Sequence, residues 1–355
     1  MPARTEPYRR RLLLLCGGRS GEHEVSLSSA ASVLAAAEGR LDVDARVIAR
    51  NGRLLSDAAS RVALERGRSD GQSEGGASPT LLHGLATLDL FSYDAVFPLL
   101  HGPNGEDGTV QGLLEVADVP FVGSSVLGSA AAMDKIVMKR LFASDGLPQV
   151  AWSEVHATHW RTEPGQVLTE LETLPWPRFV KPANLGSSVG ISRASDRESL
   201  RTALNEAFRY DRRVIVEEGV VNAREIEVAV LGNEAPVASP AGEIRVPADA
   251  YYDYQHKYTD GMAELVIPAE LPASSVETVR ALALQAFQLV DAAGLARVDL
   301  FVRPDGELLV NEINTIPGFT RHSMYPRLMD AAGVPYPQLI ERLVELGIER
   351  HAARR

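Results

Sequence analysis

The sequence predicts a mixed α/β protein with a parallel α/β domain at the N-terminus and α+β parts in the centre and at the C-terminus. In the first third, apolar strand-like runs alternate with helix-like segments, which is the pattern of a parallel sheet covered by helices. Near the C-terminus, strand-like residues 297–301 and 309–315 flank the turn-forming tetrapeptide 303–306, and together they predict an antiparallel hairpin. The chain has 355 residues, which is long enough for two or three domains.

The first predicted elements follow one another as strand, helix and strand. Residues 12–16 form an apolar run that ends at two glycines, so they predict a buried strand. The Ala- and Ser-rich residues 24–38 predict a helix, and residues 44–49 and 93–100 predict further strands. Residues 66–79 are rich in Gly and Ser and nearly lack large apolar groups, so we expect a surface insertion.

The remaining elements are less regular. Residues 134–144 predict a helix that is closed by a following glycine and proline, and residues 274–293 predict a second helix. Residues 242–261 are polar and tyrosine-rich without a clear period, which predicts a long functional loop. Helical segments are expected from residue 325 onwards. Further strands are predicted at residues 176–182, 214–218 and 225–231.

Composition and charge argue against several classes of partner. A formal net charge of −11 argues against nucleic acid or an anionic membrane surface as a partner, since neither favours an acidic protein.

The single cysteine, Cys16, cannot form an intramolecular disulfide and closes an apolar run. We therefore expect it to be a core residue of a protein in the reducing cytoplasm. The short leucine run after Arg9–Arg11 lacks the length and cleavage pattern of a signal peptide. No run approaches the roughly 18 apolar residues of a membrane helix.

The predicted hairpin carries three oxygen ligands on adjacent strands, Asp299, Glu312 and Asn314. Glu312 and Asn314 are two residues apart and therefore project from the same face of their strand. Carboxylate and amide oxygens are the ligands that Mg²⁺ prefers. A solvated edge hairpin with its polar residues outward is the alternative interpretation.

A small-residue loop follows the strand that ends at Lys181. It contains Gly186, Ser187, Ser188 and Gly190, whose amides and hydroxyls would suit phosphate oxygens. A plain hairpin turn is the competing interpretation, and no G-x-x-x-x-G-K-[ST] pattern of a P-loop occurs. Lysines at element edges, such as Lys181, either reach solvent or meet an anion.

Four motifs in order resemble one family. Residues 17–26, 101–108, 181–190 and 311–318 resemble the D-alanine–D-alanine ligases of the ATP-grasp superfamily, and the resemblance extends from residue 12 to about residue 345. It implies a three-domain ATP-grasp fold: an N-terminal domain at residues 1–130, a central domain at 131–217 and a C-terminal domain at 218–355, with ATP between the last two.

The implied activity is ATP-dependent ligation of two D-alanine molecules through an acylphosphate, for peptidoglycan precursor synthesis. The resemblance also implies two Mg²⁺ or Mn²⁺ ions per site and a cytoplasmic homodimer without nucleic-acid or membrane partners. Two alternatives stay open. A D-alanine–D-lactate ligase would share nearly every motif, and a nucleotide-binding regulator would keep the fold without chemistry. The regulator is disfavoured because the metal ligands and Arg297 are all present.

The site residues are carried over by position. The implied metal ligands are Asp299, Glu312 and Asn314. The implied nucleotide-binding residues are Lys135, Lys181, Ser187, Ser188, Glu217, Glu218, Val220, Glu225 and Lys257. The implied substrate-binding residues are Glu22, His101, Lys257, Arg297, Ser323 and Met324. The implied catalytic residues are Glu22, Ser187, Tyr258, Arg297, Gly318 and Ser323.

Each group has an expected role. Glu22 and His101 receive the first D-alanine, Arg297 and the Gly318 amide stabilise an oxyanion, and Ser323 with Lys257 binds the second carboxylate. Tyr258 is expected to hydrogen-bond to Ser187 and, through it, towards Glu22, which closes the loop over the site. Outside the four motifs the same residues would be interpreted as loop, packing or surface ion-pair residues.

Overall fold

The structure is a computed structural model and describes residues 8–69, 80–186, 189–245 and 264–354. The chain forms two compact units, Met1–Ser124 with Ile316–Arg355, and Ser125–Thr315. Residues 316–355 therefore belong to the same unit as the N-terminus. The three-domain division with boundaries at residues 130 and 217 stays a prediction.

The described residues form thirteen strands and twelve α-helices. The strands are β1 Arg11–Gly17, β2 Asp42–Ile48, β3 Ala95–Pro98, β4 Trp152–His156, β5 Arg178–Pro182, β6 Ser192–Ala194, β7 Arg213–Glu218, β8 Arg224–Gly232, β9 Val237–Ala238, β10 Gly242–Arg245, β11 Glu264–Val266, β12 Gly294–Val302 and β13 Leu308–Asn314. The helices are α1 His23–Ala37, α2 Asp57–Arg66, α3 Leu81–Ala86, α4 Thr109–Val116, α5 Val126–Met133, α6 Lys135–Ser144, α7 Ala157–Thr162, α8 Pro164–Leu171, α9 Arg197–Ala207, α10 Ala273–Leu289, α11 Met324–Ala331 and α12 Tyr336–Ala353.

The first unit contains a three-stranded sheet in the order β2-β1-β3, and both strand pairs are parallel. The apolar run of β1 is fully buried in this sheet, because it lies at the centre and is covered by α1. The predicted parallel α/β arrangement is thereby confirmed. The third strand is shorter than predicted and ends at Pro98, because a tight turn follows: the Leu99 amide, which donates to the Leu15 carbonyl of β1 at 2.9 Å, also lies 3.0 Å from the Phe97 carbonyl oxygen.

The last two helices belong to the first unit and pack within it. The ring of Phe319 lies 5.6 Å from those of Phe97 and Tyr336, which joins the C-terminal segment to the core of the sheet. A Cβ at Gly347 of α12 would lie 2.6 Å from the Phe121 carbonyl oxygen. Glycine at this position therefore permits the close approach of the helix to the chain segment that follows α4.

The second unit contains two antiparallel sheets. One has the order β4-β7-β5-β6, and the other has the order β11-β10-β8-β12-β13 with β9 paired to β8. The apolar face of the larger sheet forms a core with α10, in which Ile226, Val298 and Phe287 are buried. The α+β character predicted for these parts of the chain is confirmed.

Three predicted segments need comment. Residues 242–245 of the predicted functional loop form β10 instead, because Ile244 is buried in the sheet where β10 pairs with β8 and β11. The remaining loop residues 246–261 lie outside the described residues, as do residues 70–79 of the predicted insertion. The helix predicted to reach residue 293 ends at Leu289, since Asp291 adopts a left-handed backbone with φ 57°. Among the helices that the structure describes, none has the length and apolar composition needed to cross a membrane.

Candidate active site

In the first unit, the loop after β1 presents Glu22 at the start of α1. The Ser20 hydroxyl donates to the His101 carbonyl at 2.7 Å and accepts from the Glu22 amide at 3.2 Å, so one serine ties this loop to the loop after β3. Glu22 is 9 % exposed, and its side chain does not cap the helix. A carboxylate that is nearly buried and not used as a cap suits a cationic ligand group.

His101 is buried, and its two ring nitrogens differ. Nδ1 lies 2.9 Å from the Ile316 carbonyl oxygen and therefore carries the proton in the neutral ring. Nε2 is buried without a hydrogen-bond partner among the described residues. Burial lowers the pKa of His101, and the nearby Glu22 carboxylate and the bond to Ile316 oppose this shift only in part. The neutral ring thus presents an acceptor nitrogen close to Glu22.

Gly102 allows these two groups to lie close together. Its φ is +72°, and a Cβ there would lie 2.9 Å from Glu22 Oε2 and 3.1 Å from the Ser20 Cβ. The Gly102 amide donates to Glu106 Oε1 at 2.9 Å, which fixes the loop from the other side. A side chain at this position would displace the Glu22 carboxylate.

Gly318, Ser323 and Met324 lie together at the start of α11 in the same unit. The Ser323 Oγ accepts from the Thr320 amide at 3.1 Å and lies 2.8 Å from the Thr320 hydroxyl. A Cβ at Gly318 would lie 3.4 Å from that Oγ, so the predicted pair is adjacent. Met324 is buried under the first turn of the helix.

In the second unit, the hairpin of β12 and β13 forms as predicted. Asp299 pairs with Glu312 across the strands, and Arg297 pairs with Asn314, so the four polar side chains share one face of the sheet. The Arg297 guanidinium makes two hydrogen bonds to Asp299, each of 2.6 Å. An arginine held by its fork in this way keeps a fixed orientation.

A β-bulge lies beside the predicted metal ligands. The register shifts between Asp299 and Leu300, where Asn311 is the additional residue on β13. Bulges bend a strand and re-aim neighbouring side chains, and here the affected neighbour is Glu312.

The donor set fits a hard divalent cation. It consists of two carboxylates and one amide on a single face, and the bound Asp299 carboxylate retains lone pairs. The set contains only two acidic side chains, and within the described ranges no group of three or more His, Cys, Asp or Glu side chains is placed to hold a metal ion.

The sequence analysis missed Glu227 on β8. Glu227 lies opposite Asp299 in the sheet, is 4 % exposed, and forms an ion pair with Arg297, whose Nε lies 3.1 Å from Glu227 Oε2. Arg297 is thus enclosed by carboxylates from its own strand and the neighbouring strand. The period-2 spacing of Glu225 and Glu227 could have identified it, because both project from the face that carries Asp299.

Lys135 lies at the first position of α6 next to the predicted phosphate loop. Asp134 caps the helix by accepting from the amides of Ile136 and Val137. The Lys135 Nζ donates to the Leu185 carbonyl at 2.5 Å, and its amide donates to the Ala183 carbonyl at 3.0 Å. The structure therefore places this lysine against the start of the loop that carries the two predicted serines.

Glu217 on β7 lies between two lysines. Lys181 Nζ of β5 lies 2.6 Å from Glu217 Oε2, and Lys139 Nζ of α6 lies 3.3 Å from Oε1. Burial opposes ionisation of Glu217, but the two ammonium groups outweigh it and lower its pKa. Burial also lowers the pKa of Lys139, against the attraction of Glu217. Lys139 was absent from the predicted site.

The other predicted nucleotide residues lie at the turn from β7 to β8. The Glu218 carboxylate accepts from Arg303 at 2.8 Å. Val220 is half-buried, and Glu225 lies in β8 opposite Phe301 of β12. Gly219 lies between Glu218 and Val220, and its amide donates to the Pro177 carbonyl at 2.7 Å. This hydrogen bond anchors the turn to the residue just before β5.

Four predicted residues lie outside the described residues: Ser187, Ser188, Lys257 and Tyr258. Gly190, which ends the phosphate loop, has φ +73°, and a Cβ there would lie 2.8 Å from the Pro182 ring and 2.9 Å from the Tyr210 ring. The loop thus leads into β6 through a position that only glycine fits.

Two family descriptions match this chain. The description "D-ala D-ala ligase N-terminus" matches residues 11–124, and "D-ala D-ala ligase C-terminus" matches residues 141–345. The chain is 54 % identical over 344 residues to the D-alanine–D-alanine ligase of Deinococcus radiodurans, covering 96 % of this chain and 99 % of the relative. It is 50 % identical over 368 residues to the enzyme of the same name from Listeria innocua, covering 97 % of each chain.

Solved structures agree with these matches. The D-alanine–D-alanine ligase of Coxiella burnetii aligns with a TM-score of 0.79 and 35 % identity, over 98 % of this chain and 96 % of that one. A D-Ala:D-Ser ligase of Enterococcus faecalis aligns with a TM-score of 0.82 and 31 % identity, over 96 % of this chain and 100 % of that one. The fold is therefore shared with ligases that are named for different second substrates.

Proposed function

Because this chain belongs to the D-alanine–D-alanine ligase family, a family of ATP-dependent ligases, we propose that it joins two D-alanine molecules into D-alanyl-D-alanine. ATP is converted to ADP and phosphate in the reaction, and the dipeptide serves peptidoglycan precursor synthesis. The observation that carries the proposal is the polar face of the hairpin, where Arg297 is fixed on Asp299 with Glu312 directly opposite.

The first D-alanine is recognised by Glu22 and His101. The Glu22 carboxylate attracts the substrate ammonium, and the unpaired Nε2 of the neutral His101 ring offers an acceptor beside it. The ammonium of an amino acid can interact with both groups, whereas a carboxylic acid without an ammonium offers neither of them a donor. A site built for hydrogen bonds rejects an analogue that lacks them more strongly than an apolar pocket would.

The chemistry begins with activation of a poor electrophile. The carboxylate of the first D-alanine takes the γ-phosphoryl group of ATP, which gives an acylphosphate and ADP. The amine of the second D-alanine then attacks the carbonyl carbon, the amine loses its proton, and phosphate leaves with the C–O bonding electrons.

Arg297 and the Gly318 amide stabilise the oxyanion of the tetrahedral intermediate, and one such donor contributes about 3 to 4 kcal/mol. Ser323 and Lys257 bind the second carboxylate, and Met324 is a further residue of this substrate site. The two hydrogen bonds that Arg297 makes to Asp299 support this role, since they hold the guanidinium in one orientation before the charge develops.

Asp299, Glu312 and Asn314 would hold the divalent cations, two Mg²⁺ or Mn²⁺ ions per site. Such ions, when bound, neutralise charge on the transferring phosphoryl group and hold it in line. Glu312 lies opposite Asp299 and two residues from Asn314, so its carboxylate is placed to share cations with both of these side chains.

The nucleotide lies against the residues of the second unit that surround Glu217. Lys135 and Lys181 contact its phosphates together with Ser187 and Ser188, Glu217 and Val220 hold the adenine, and Glu225 binds the ribose. The support is the concentration of lysines around one buried carboxylate at the ends of β5 and β7.

We also propose that the protein is cytoplasmic and forms a homodimer. Light scattering, which reports the molecular mass in solution, tests the dimer.

A decisive test compares phosphate release from ATP with and without D-alanine. A ligase releases phosphate only when D-alanine is present, and the dipeptide accumulates in equal amount. A nucleotide-binding regulator would release none under either condition. Replacing D-alanine by a mixture of D-alanine and D-lactate identifies a depsipeptide ligase, because that enzyme would form the ester in preference to the dipeptide.

A further inference from the structure

Lys139 is a fully buried lysine that the proposed reaction does not use. It lies four residues after Lys135 on α6, so both project from the same face of the helix, one turn apart. Its side chain is 1 % exposed and ends 3.3 Å from Glu217. Buried lysines are rare unless they are paired, so this one has a specific electrostatic environment.

The two lysines around Glu217 differ in access to solvent. The Lys181 side chain is 10 % exposed and lies at the end of β5, next to the phosphate loop, whereas Lys139 approaches Glu217 from the helix side. Lys181 is therefore the one placed to contact a ligand. If Lys181 were the sole counter-ion of Glu217, its movement to a phosphate would leave a buried carboxylate uncompensated, which is costly.

We propose that Lys139 is a positioning residue: it serves as the permanent counter-ion of Glu217 and thereby releases Lys181 to the nucleotide phosphates. This inference rests on the nucleotide site of the proposed function. The Glu217 carboxylate uses separate oxygens for the two lysines, Oε1 for Lys139 and Oε2 for Lys181, so one ion pair can open while the other stays.

The proposal predicts a particular pattern of coupling. Without Lys139, Glu217 retains Lys181, and the phosphates lose a contact. Lys139→Met should weaken ADP binding about tenfold, and Lys181→Met should do the same, whereas adenosine binding should change by less than about threefold in either variant. In the Glu217→Gln background no buried carboxylate needs a counter-ion, so Lys139→Met should there weaken ADP binding by no more than about twofold, because Lys139 acts through Glu217 and Lys181.

The experiment uses the full chain, with ADP and adenosine titrated by calorimetry or by competition with a fluorescent nucleotide. Arg140→Met is the matched control, since Arg140 is the next residue of the helix and forms an exposed ion pair with Glu154. Circular dichroism and the melting temperature report folding. If Lys139→Met does not fold, Lys139→Gln takes its place, because its amide can donate to Glu217 without carrying a charge.

Three outcomes decide the matter. A loss from Lys139→Met that is confined to ADP and largely disappears in the Glu217→Gln background supports the proposal. Equal losses for ADP and adenosine, or an undiminished effect of Lys139→Met in the Glu217→Gln background, overturn it and leave Lys139 with a purely structural role. If the wild-type protein binds neither ADP nor ATP, the proposed function itself fails, and the lysine variants have no bearing on that result.

Discussion

Arg297 and Asp299 lie two positions apart on β12, and two hydrogen bonds of 2.6 Å join them. The same arrangement occurs on β2, where Arg46 donates to Asp44 at 2.8 and 3.0 Å. In both places the period of a strand brings side chains i and i+2 together on one face. Only the pair on β12 is also flanked by Glu227 and Glu312, so its arginine lies in a centre of negative charge.

We expect Arg297→Lys to lower kcat at least tenfold while ATP affinity stays nearly constant. Lysine retains the charge but lacks the planar fork, so it cannot hold Asp299 and face an oxyanion at once. Steady-state kinetics and a nucleotide titration measure the two effects. Arg46→Lys is the control, because it breaks the matching pair on β2 and should leave kcat unchanged. Loss of ATP affinity with intact kcat would assign Arg297 to the nucleotide instead.

Glu312→Gln tests the metal site. The amide retains the size of the side chain but removes one negative ligand charge, so Mg²⁺ affinity and turnover should both fall strongly while the melting temperature changes little. Turnover measured against Mg²⁺ concentration reports the loss. Glu307→Gln, in the exposed hairpin turn, serves as the control. Wild-type turnover at ordinary Mg²⁺ in the Glu312 variant would remove this residue from the metal ligands.

The buried His101 predicts a pH dependence of stability. Its pKa in the folded protein lies below the ordinary value of 6.5, so the unfolded chain binds a proton at a higher pH than the folded protein does. Between these two pKa values the unfolded state binds more protons, and the free energy of unfolding therefore falls as the pH falls, by at most about 1.4 kcal/mol per pH unit. Denaturation of wild type and His101→Asn at pH 7.5 and 5.5 measures the difference. An identical pH dependence in both proteins would show that His101 does not contribute.

At the scale of elements, the loop after β3 depends on glycine for its position beside α1. Gly102→Ala should lower stability by about 1 kcal/mol through its left-handed backbone and should also raise the KM for D-alanine, since the new Cβ meets Glu22. Gly39→Ala is the matched control: its φ is +74°, and nothing lies within 4 Å of the new Cβ. Both variants should lose similar stability, and only the first should lose substrate affinity. A normal KM in Gly102→Ala would show that the loop accommodates the methyl group.

Local patterns predicted most elements well because their causes are local. The leucine run of β1 and the tetrapeptide turn of the hairpin determine their structures through burial and backbone preference alone. The bulge at Asn311 was not predicted, although two adjacent polar residues, Asn311 and Glu312, interrupt an apolar strand. The strand at residues 242–245 was missed because its partners are β8 and the distant β11, and the sequence pattern alone does not show such pairing.

At the scale of the molecule, the site residues that sequence analysis missed are those whose environment is built by distant segments. Lys139 occurs in an amphipathic helix, where a lysine ordinarily faces solvent. Its charge is paired only because β7, which follows about eighty residues later, supplies Glu217. Glu227 gains its role only when β12 pairs with β8. Motifs supplied the groups that we propose contact substrates, but they did not identify the charged residues that surround those groups.

The choice of second substrate concerns the whole enzyme, because the solved relatives include a D-Ala:D-Ser ligase and the alternatives include a D-lactate enzyme. An amine nucleophile must lose its proton before it attacks. Nearby cations, Arg297 and the predicted Lys257, lower the pKa of the bound ammonium and make that loss easier. We therefore expect D-alanine to be strongly preferred over D-lactate at neutral and mildly alkaline pH, with dipeptide formation slowing as the pH falls.

The measurement lets D-alanine compete with D-lactate, and in a separate series with D-serine, between pH 6 and 9, and counts the products. D-serine carries the same amine as D-alanine, so the ratio of those two products should not vary with pH. The ratio of D-alanyl-D-alanine to the ester formed with D-lactate should vary with pH, because a hydroxy acid has no ammonium form. Tyr258→Phe removes the predicted hydroxyl bond to Ser187 and should admit some D-lactate, most visibly at low pH. Predominant ester formation by the wild-type protein at pH 7 would instead make this chain a depsipeptide ligase, since the amine would then have no advantage as the nucleophile.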